Sequence, residues 1–442
     1  IRESPIKAGV IWVGANDGPV HVTQDGGKTW KNVTPKDLPP GGRVDAVEPS
    51  PHNPAKAYVS VLRYQLGDTK PYIYKTTNYG KSWELLTSGN NGIPADCPTR
   101  VMREDPGKEG LLFAGTEYGV FVSFDDGKQW QPFQQNLPLT PITDLKLHRD
   151  DIVLSTMGRG FWVLENMSAL RTYTPTSANQ HELFQPKNTH RYRAPAGSYG
   201  STTPRYPRPA VSIDYYLAEK ADQGIRLEIK DEAGKVVYHV VNDTNQLKAT
   251  ATRVVRDMAT EDIRYITNKN LPNEQGLNRF AWNFTSIGPW HKVKNRRYQN
   301  GPLVPPGQYT VTLSVGDWSA TQTFELLIDP RLEKAGVSSA DLSRQAKLQG
   351  QVMALLEDAR KLEDTLEKEI KSMTDSAKVK NLKAALSKLQ TEEGIYMQPK
   401  LTDQISYLNS MINRADQLPG KDAYDRYEEL VLLLEGVKGS LE

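Results

Sequence analysis

The chain contains 442 residues and carries a formal net charge of +2, because 55 lysine and arginine residues nearly balance 53 aspartate and glutamate residues. This balance excludes the strong field that draws a protein to nucleic acid or an anionic membrane, so neither is expected as a partner. A single cysteine excludes a disulfide framework and a cysteine-rich zinc site, and the lack of any run of about 18 apolar residues excludes membrane insertion.

One eight-residue phrase occurs three times in the first third of the chain. The copies are TQDGGKTW at 23–30, TTNYGKSW at 76–83 and SFDDGKQW at 123–130. Their tryptophans are 53 and 47 residues apart, close to the roughly 40–50 residues of one four-stranded propeller blade. An alternating strand precedes each copy, so the repeat predicts three consecutive blades.

The phrase has the form Ser/Thr-x-Asp-x-Gly-x-Thr-Trp, the Asp-box, with departures at Asn78 and Gln129. A short polar acceptor at its third position can bond backbone N–H groups two residues on, and its glycine permits a backbone conformation closed to other residues. The tryptophans are expected to be buried between neighbouring sheets. We therefore predict structural rather than catalytic roles for Asp25, Gly27, Trp30, Asn78, Gly80, Trp83, Asp125, Gly127 and Trp130.

The blade series is predicted to cover residues 1–170. A fourth unit at 152–164 has a strand, a glycine turn and a strand but lacks the phrase. Three and a half blades would leave apolar sheet faces bare, an aggregation hazard that closed propellers avoid. We therefore expect the remaining blades as partners, supplied by the N-terminal part of the same protein or by another chain.

Three further segments follow the blades. Residues 171–209 are rich in Pro, Ser and Thr and are predicted to be a linker. Short alternating runs with Gly and Pro turns over 210–331 predict an immunoglobulin-like or fibronectin-like β-sandwich. Apolar residues at steps of three and four over 337–442 predict a helical bundle, with a partner-binding coiled coil as the alternative. The predicted fold class is mainly β with an α-helical C-terminal domain.

The chain resembles the sortilin-like Asp-box (BNR) repeat proteins of bacteria, which are usually labelled glycosyl hydrolase or sortilin-like. Members are usually longer on the N-terminal side, and related sequences commonly have histidine where this chain has Met157. The resemblance implies a secreted or cell-envelope protein, located in the extracellular space or the periplasm. It is carried by the segments 9–35, 47–59, 71–83, 103–132, 276–284, 301–313 and 328–331.

Ligands of such propellers bind at the end of the blades opposite the Asp-box turns. Successive turns of a four-stranded blade alternate between its two ends, so the turns between second and third strands should surround this mouth. The candidate ligand-face residues are Asn16, Asp17, Arg63, Tyr64, Asp68, Glu117, Tyr118 and Arg159.

Two classes of function stay open. The resemblance to sortilin implies a binding or scaffold module for a protein or peptide ligand, whereas the hydrolase label implies glycan ligands or substrates. A glycoside hydrolase needs two carboxyl groups about 5–10 Å apart. Asp17 and Glu117 are candidates, but nothing in the sequence fixes their distance, and catalytic carboxylates of the alternative would lie partly in N-terminal blades. No catalytic residue, metal ligand or cofactor is therefore assigned.

Overall fold

The structure is a computed structural model that describes residues 1–174, 180–193, 209–222, 224–242, 254–256, 263–265, 271–293, 296–299, 301–394 and 396–441. The chain divides into two compact units, Ile1–Ser177 and Ala178–Glu442. Much of the predicted linker lies outside the described residues.

The first unit consists of four consecutive antiparallel sheets in which neighbouring strands follow chain order. The first sheet comprises β1 (Arg2–Glu3), β2 (Ile11–Gly14), β3 (Val20–Thr23) and β4 (Lys31–Asn32). The second comprises β5 (Arg43–Pro49), β6 (Ala57–Leu62), β7 (Ile73–Thr76) and β8 (Glu84–Leu85). The third comprises β9 (Thr99–Glu104), β10 (Leu112–Thr116), β11 (Gly119–Ser123) and β12 (Gln131–Pro132). The fourth comprises β13 (Ile142–His148), β14 (Asp151–Thr156) and β15 (Phe161–Leu164), and α1 (Ser168–Thr172) follows it.

Each pair of successive sheets in this unit shares an apolar core. Trp12 of the first sheet packs edge-on against Trp83 of the second, with ring centroids 6.1 Å apart. Tyr58 and Trp130 belong to the core between the second and third sheets, and Leu170 of α1 joins the core of the third and fourth. The first strands of neighbouring sheets also lie side by side. The unit is therefore a series of three four-stranded, propeller-like blades, one for each copy of the phrase as the repeat predicts, followed by a three-stranded sheet at the predicted fourth unit.

The Asp-box turns lie between the third and fourth strands of the first three sheets. The Asp25 carboxylate accepts hydrogen bonds from the Thr29 backbone N–H at 2.9 Å and from the Thr29 hydroxyl at 2.6 Å. Asn78 accepts from the backbone N–H of Ser82 at 3.0 Å in the same way. The acceptor therefore bonds the backbone N–H four residues on and not two residues on as predicted, because the glycine N–H two residues on bonds the hydroxyl of Thr23 or Thr76. Each turn is fixed by contacts within the box itself.

The tryptophan of the box behaves differently in the three copies. Trp83 donates from Nε1 to the backbone carbonyl of Val33 at 2.6 Å, and Trp130 donates to that of Leu86 at 3.1 Å. In both cases the acceptor belongs to the preceding sheet, three residues after that sheet's own tryptophan. Trp130 is buried and Trp83 is half-buried.

The prediction that all three tryptophans are buried between sheets is wrong for Trp30. Its side chain is 42 % exposed, and Nε1 donates to the carbonyl of Gly27 in its own turn. The physical reason is that the first sheet has no preceding sheet in this structure that could supply the acceptor and the apolar wall.

Titration of Asp25 at acid pH should show how strongly the first Asp-box turn stabilises the ionised carboxylate. The hydroxyl and the backbone N–H of Thr29 lower the pKa of Asp25 from 3.8 to about 2. Because the pKa is lower in the folded state, this turn contributes stability above about pH 4, and the contribution is lost as the pH falls through 2. We expect an NMR titration of the Asp25 carboxyl to show a midpoint near pH 2, and a midpoint near 4 would contradict this. Asp25→Asn should keep the turn, as Asn78 does, without the titration.

The second unit contains two larger sheets and a two-stranded ribbon. The three-stranded sheet has the order β16 (Glu182–Leu183), β18 (Val211–Leu217), β23 (Gly276–Trp282). The five-stranded sheet has the order β17 (Thr189–Arg191), β25 (Trp318–Ile328), β24 (Gly307–Val315), β19 (Ile225–Asp231), β20 (Val236–Asn242). The ribbon consists of β21 (Val254–Arg256) and β22 (Ile263–Tyr265).

The two larger sheets enclose one core around Trp282, whose ring contacts Tyr309 and Phe324 edge-on. All described pairings in these sheets are antiparallel except β17 with β25, which is parallel. A two-sheet arrangement was predicted, whereas the parallel edge pair was not. The assignment to an immunoglobulin or fibronectin type stays a prediction, because residues 243–253, 257–262 and 266–270 lie outside the described chain.

The helical region follows the sheets directly. Ser338 and Asp341 form the predicted capping box at the start of the longest helix, and a buried leucine-rich stripe runs along that helix into the shared core. None of the described helices is both long and apolar enough to cross a lipid bilayer. The helices are α2 (Pro330–Lys334), α3 (Ser339–Ser372), α4 (Ser376–Leu389), α5 (Leu401–Ile412) and α6 (Lys421–Gly439).

Candidate functional site

One end of the four blades gathers the turns between second and third strands. These turns are residues 15–19, 63–72, 117–118 and 157–160. Because the strands run up and down in chain order, this end lies opposite the Asp-box turns and also receives the loops that lead from one sheet to the next. We call it the mouth face.

All eight predicted ligand-face residues lie in these turns, but three of them stand apart. Asn16, Asp17 and Arg159 are exposed, and their side chains form no hydrogen bond or ion pair with the described parts of the chain. They are positioned only by the turns that carry them.

Arg63 and Asp68 have a structural role at this end. Arg63 is 8 % exposed, and its Nε donates to Asp68 at 2.9 Å. Its Nη1 donates to the carbonyls of residues 39–41, which belong to the loop entering the second sheet. Tyr72 donates to the same Asp68 carboxylate at 2.9 Å. These contacts fix the 63–72 loop and leave the Arg63 guanidinium unavailable for direct ligand contact.

The centre of the mouth face is a buried arginine that the sequence did not reveal. Arg100 of β9 is 7 % exposed, and its guanidinium donates to Glu117 at 2.5 Å. On its other side it lies 3.8 Å from Asp45 of β5, and it stacks 5.8 Å from the ring centre of Tyr64. It therefore joins residues of two neighbouring blades.

Asp45 also pairs with Arg43, whose side chain reaches the surface. The hydrogen bond to Asp45 raises the pKa of Arg43, which holds its positive charge in place. We call Arg43, Asp45, Tyr64, Arg100 and Glu117 the Arg100 cluster. Charged residues in the otherwise apolar runs RVDAVEP and TRVMRE were the one sequence signal that could have indicated it.

A second row of charges lies three residues further along the same inner strands. Arg103 contacts Asp144 of the fourth blade at 2.7 Å and Glu48 of the second at 3.4 Å. Burial raises the pKa of Glu48 and lowers that of Arg103. This row connects three blades and keeps the inner strands in register, so its role is structural.

Several large apolar side chains also project from the mouth face. Tyr118 and Met157 extend from strand turns, while Leu66 and Leu139 extend from longer loops. All four are more than half exposed. The Leu139 loop is held against the Met157 turn, because Thr140 donates to the Met157 carbonyl at 3.1 Å. Of these four side chains, only Tyr118 was predicted to lie at the ligand face.

The chemistry available at this end is recognition by charge and apolar contact. Glu117 is engaged by Arg100, and a separation of Asp17 and Glu117 of about 5–10 Å, as glycoside hydrolysis needs, stays a prediction. Within the described residues, no group of three or more His, Cys, Asp or Glu side chains is arranged to hold a metal ion.

No family model matches the chain, and no curated protein matches it. Among solved structures, YCF48 bound to D1 peptide is 16% identical, with 49% of this chain and 67% of that chain covered and a TM-score of 0.27. The GH74 enzyme of Niastella koreensis is 11% identical, with 73% of this chain and 46% of that chain covered and a TM-score of 0.31.

The extracellular domain of the hybrid two-component system BT4673 from B. thetaiotaomicron is 14% identical, with 73% and 46% covered and a TM-score of 0.26. This chain thus spans less than half the length of the last two proteins. Similarity at this level does not decide function.

Proposed function

We propose that the mouth face binds an extended peptide or protein segment and that the protein acts as a recognition or scaffold module. The observation that carries this proposal is the combination of exposed Tyr118, Leu66, Leu139 and Met157 with a rigid charged centre at Arg100. Exposed apolar patches with polar surroundings are typical of protein-binding surfaces.

The Arg100 cluster supports a ligand that offers both apolar and charged groups. The buried Arg100 guanidinium lies over the Tyr64 ring and bonds Glu117, which restricts both side chains, so little side-chain freedom is lost on binding. At the rim, Asp17 adds an exposed negative charge, and the half-buried Arg43, paired with Asp45, adds a positive one. We place this role outside the cytoplasm, in the extracellular space or the periplasm, as the resemblance implies. No specific observation favours the hydrolase alternative.

Peptide and polysaccharide arrays test the proposal directly. The full chain should retain peptides with aliphatic or aromatic side chains and should not retain soluble bacterial or plant polysaccharides. Tyr118→Ala and Leu66→Ala should each weaken binding of a retained peptide by about tenfold, as loss of an interface anchor does. Tyr407→Ala is the matched control, because Tyr407 is an exposed tyrosine on α5. Binding to polysaccharide alone, or equal losses in the control, would contradict the proposal.

We infer further that the exposed face of the first sheet receives another Asp-box blade. A Cβ placed on Gly80 would lie 2.5 Å from the Val33 side chain, and one placed on Gly127 would lie 2.6 Å from that of Leu86. These glycines therefore sit directly against the preceding sheet. Gly27 has only Trp30 near it. Trp83 and Trp130 each donate to a carbonyl three residues after the box tryptophan of the preceding blade. We therefore expect the blade that packs against the first sheet to offer such a carbonyl to Trp30.

A further inference from the structure

A surface groove of about 550 Å³ lies within the helical region of the second unit. It is bounded by the end of α4, the start of α5 and the last turns of α6. Leu401 and Val437 lie buried at its base, while Leu432 and Leu433 stand at its edge and are 73 % and 47 % exposed. Two adjacent leucines that stay open on a helix with its own buried stripe indicate a surface that another protein element covers.

Gly436 of α6 lines the same groove. A Cβ placed on it would have no other atom within 4 Å. Glycine destabilises a helix relative to alanine, and packing among the described residues gives no reason for it at this position. The missing side chain leaves the backbone of α6 open, so that side chains of a partner can approach it closely.

Two lysines border the groove. Lys388 at the end of α4 is exposed, and Lys400, directly before α5, is half-buried. Neither forms an ion pair with a carboxylate in the described parts of the chain. Glu435, next to the groove on α6, is paired with a lysine of its own helix, and Gln404 on α5 accepts a hydrogen bond from Arg426 at 2.7 Å. The groove therefore combines apolar surface with positive charge that is open to an acidic partner.

The exposed face of α6 has the complementary pattern. Asp425, Glu428, Leu432 and Gly436 follow one another at steps of three and four, so they lie along one side of the helix. Glu428 and Glu429 are exposed one turn before the leucines, whereas the two lysines lie beside the C-terminal end of the helix. The ion pairs that Asp425 and Glu429 form within α6 are exposed pairs, which contribute little to stability.

We propose that a second copy of this chain docks in the groove through its own α6, with the two helices antiparallel. A two-fold axis between the helices places the exposed leucines of each copy on Gly436 of the other. It also brings Glu428 and Glu429 of each copy to the lysines that border the groove of the other. The same surface thus supplies both the apolar and the acidic groups that the groove lacks, and the contact forms twice in one dimer. This surface belongs to the second unit, so the inference does not depend on the mouth face.

Sedimentation velocity on the full chain over about 1–200 µM tests this proposal. We expect the wild type to show a reversible monomer–dimer equilibrium. An acidic variant, Lys388→Glu with Lys400→Glu, and a basic variant, Glu428→Lys with Glu429→Lys, should each dimerise at least about tenfold more weakly, because like charges then meet across the contact. An equimolar mixture of the two variants should associate at least as tightly as the wild type, since every contact in the mixed dimer joins opposite charges again.

The matched control is Lys334→Glu with Lys347→Glu, which makes the same charge change at exposed lysines outside the groove and should dimerise as the wild type does. Circular dichroism melting checks that each variant is folded. The proposal is overturned if the wild type stays monomeric up to about 200 µM, which would leave the groove to a different acidic protein. It is also overturned if both variants associate as the wild type does, as association through another surface requires, or if the mixture of the two folded variants stays monomeric.

Discussion

Replacing Trp130 by alanine should lower the free energy of unfolding of the blades by about 3–5 kcal/mol, whereas the same change at Trp30 should cost no more than about 1 kcal/mol. Trp130 is 3 % exposed, and its Nε1 donates a hydrogen bond to the preceding blade. The Nε1 of Trp30 donates only to its own turn. Urea unfolding, followed by hydrogen exchange in peptides from residues 1–174, measures both values. Equal effects at the two positions would contradict the account of the box tryptophans.

Trp30→Ala also tests the proposal that another Asp-box blade packs against the first sheet. In a chain with a second copy of residues 43–98 placed before Ile1, the carbonyl of the copied Leu86 could accept from Trp30. We expect Trp30→Ala to become strongly destabilising there, approaching the cost of Trp130→Ala. An unchanged small cost in a folded extended chain would rule out an Asp-box blade as the occupant of this face.

Replacing Lys56 by methionine should also destabilise the blades by about 3–5 kcal/mol, because it leaves a buried carboxylate without its cation. Lys56 is 3 % exposed, and its Nζ lies 2.9 Å from Glu104 and 3.0 Å from Asp126. Asp126 belongs to the third box, so this lysine of the second blade links two blades.

A double-mutant cycle separates the ion pair from packing. Lys56→Met with Glu104→Gln should recover most of the loss, since the uncompensated carboxylate is gone. Lys28→Met, at an exposed lysine in the first box, should change stability by less than about 0.5 kcal/mol. Unfolding in urea of the wild type, Lys56→Met, Glu104→Gln and the double variant gives the coupling free energy of the pair. A double variant no more stable than Lys56→Met would show that the pair contributes little.

The blades could be predicted from the sequence because the information is local and repeated. The acceptor, the glycine and the tryptophan of each box lie within eight residues, so their turn forms without reference to the rest of the chain. The apolar stripe of α3 and its capping box were predictable for the same reason. The exposure of Trp30 was not, because burial of this residue depends on a neighbouring sheet rather than on its own turn.

The centre of the candidate site could not be predicted because its contacts join distant residues. Arg100 meets Asp45 from another sheet, and only the packing of β5 beside β9 brings them together. Arg63 was assigned to the ligand face from its loop position, yet the loop folds back and buries the side chain under residues 39–41. Turn position predicted which end of the blades a residue occupies, but not whether its side chain is free.

Hydrogen–deuterium exchange tests the central claim most directly, with the full chain measured alone and with a peptide retained on the array. We expect slower exchange in residues 63–72 and 117–118 on peptide binding, and no change in the Asp-box turns at 23–30 and 123–130. Protection confined to the Asp-box turns or to residues 339–441, with the mouth face unchanged, would contradict the assignment of the mouth face as the binding surface.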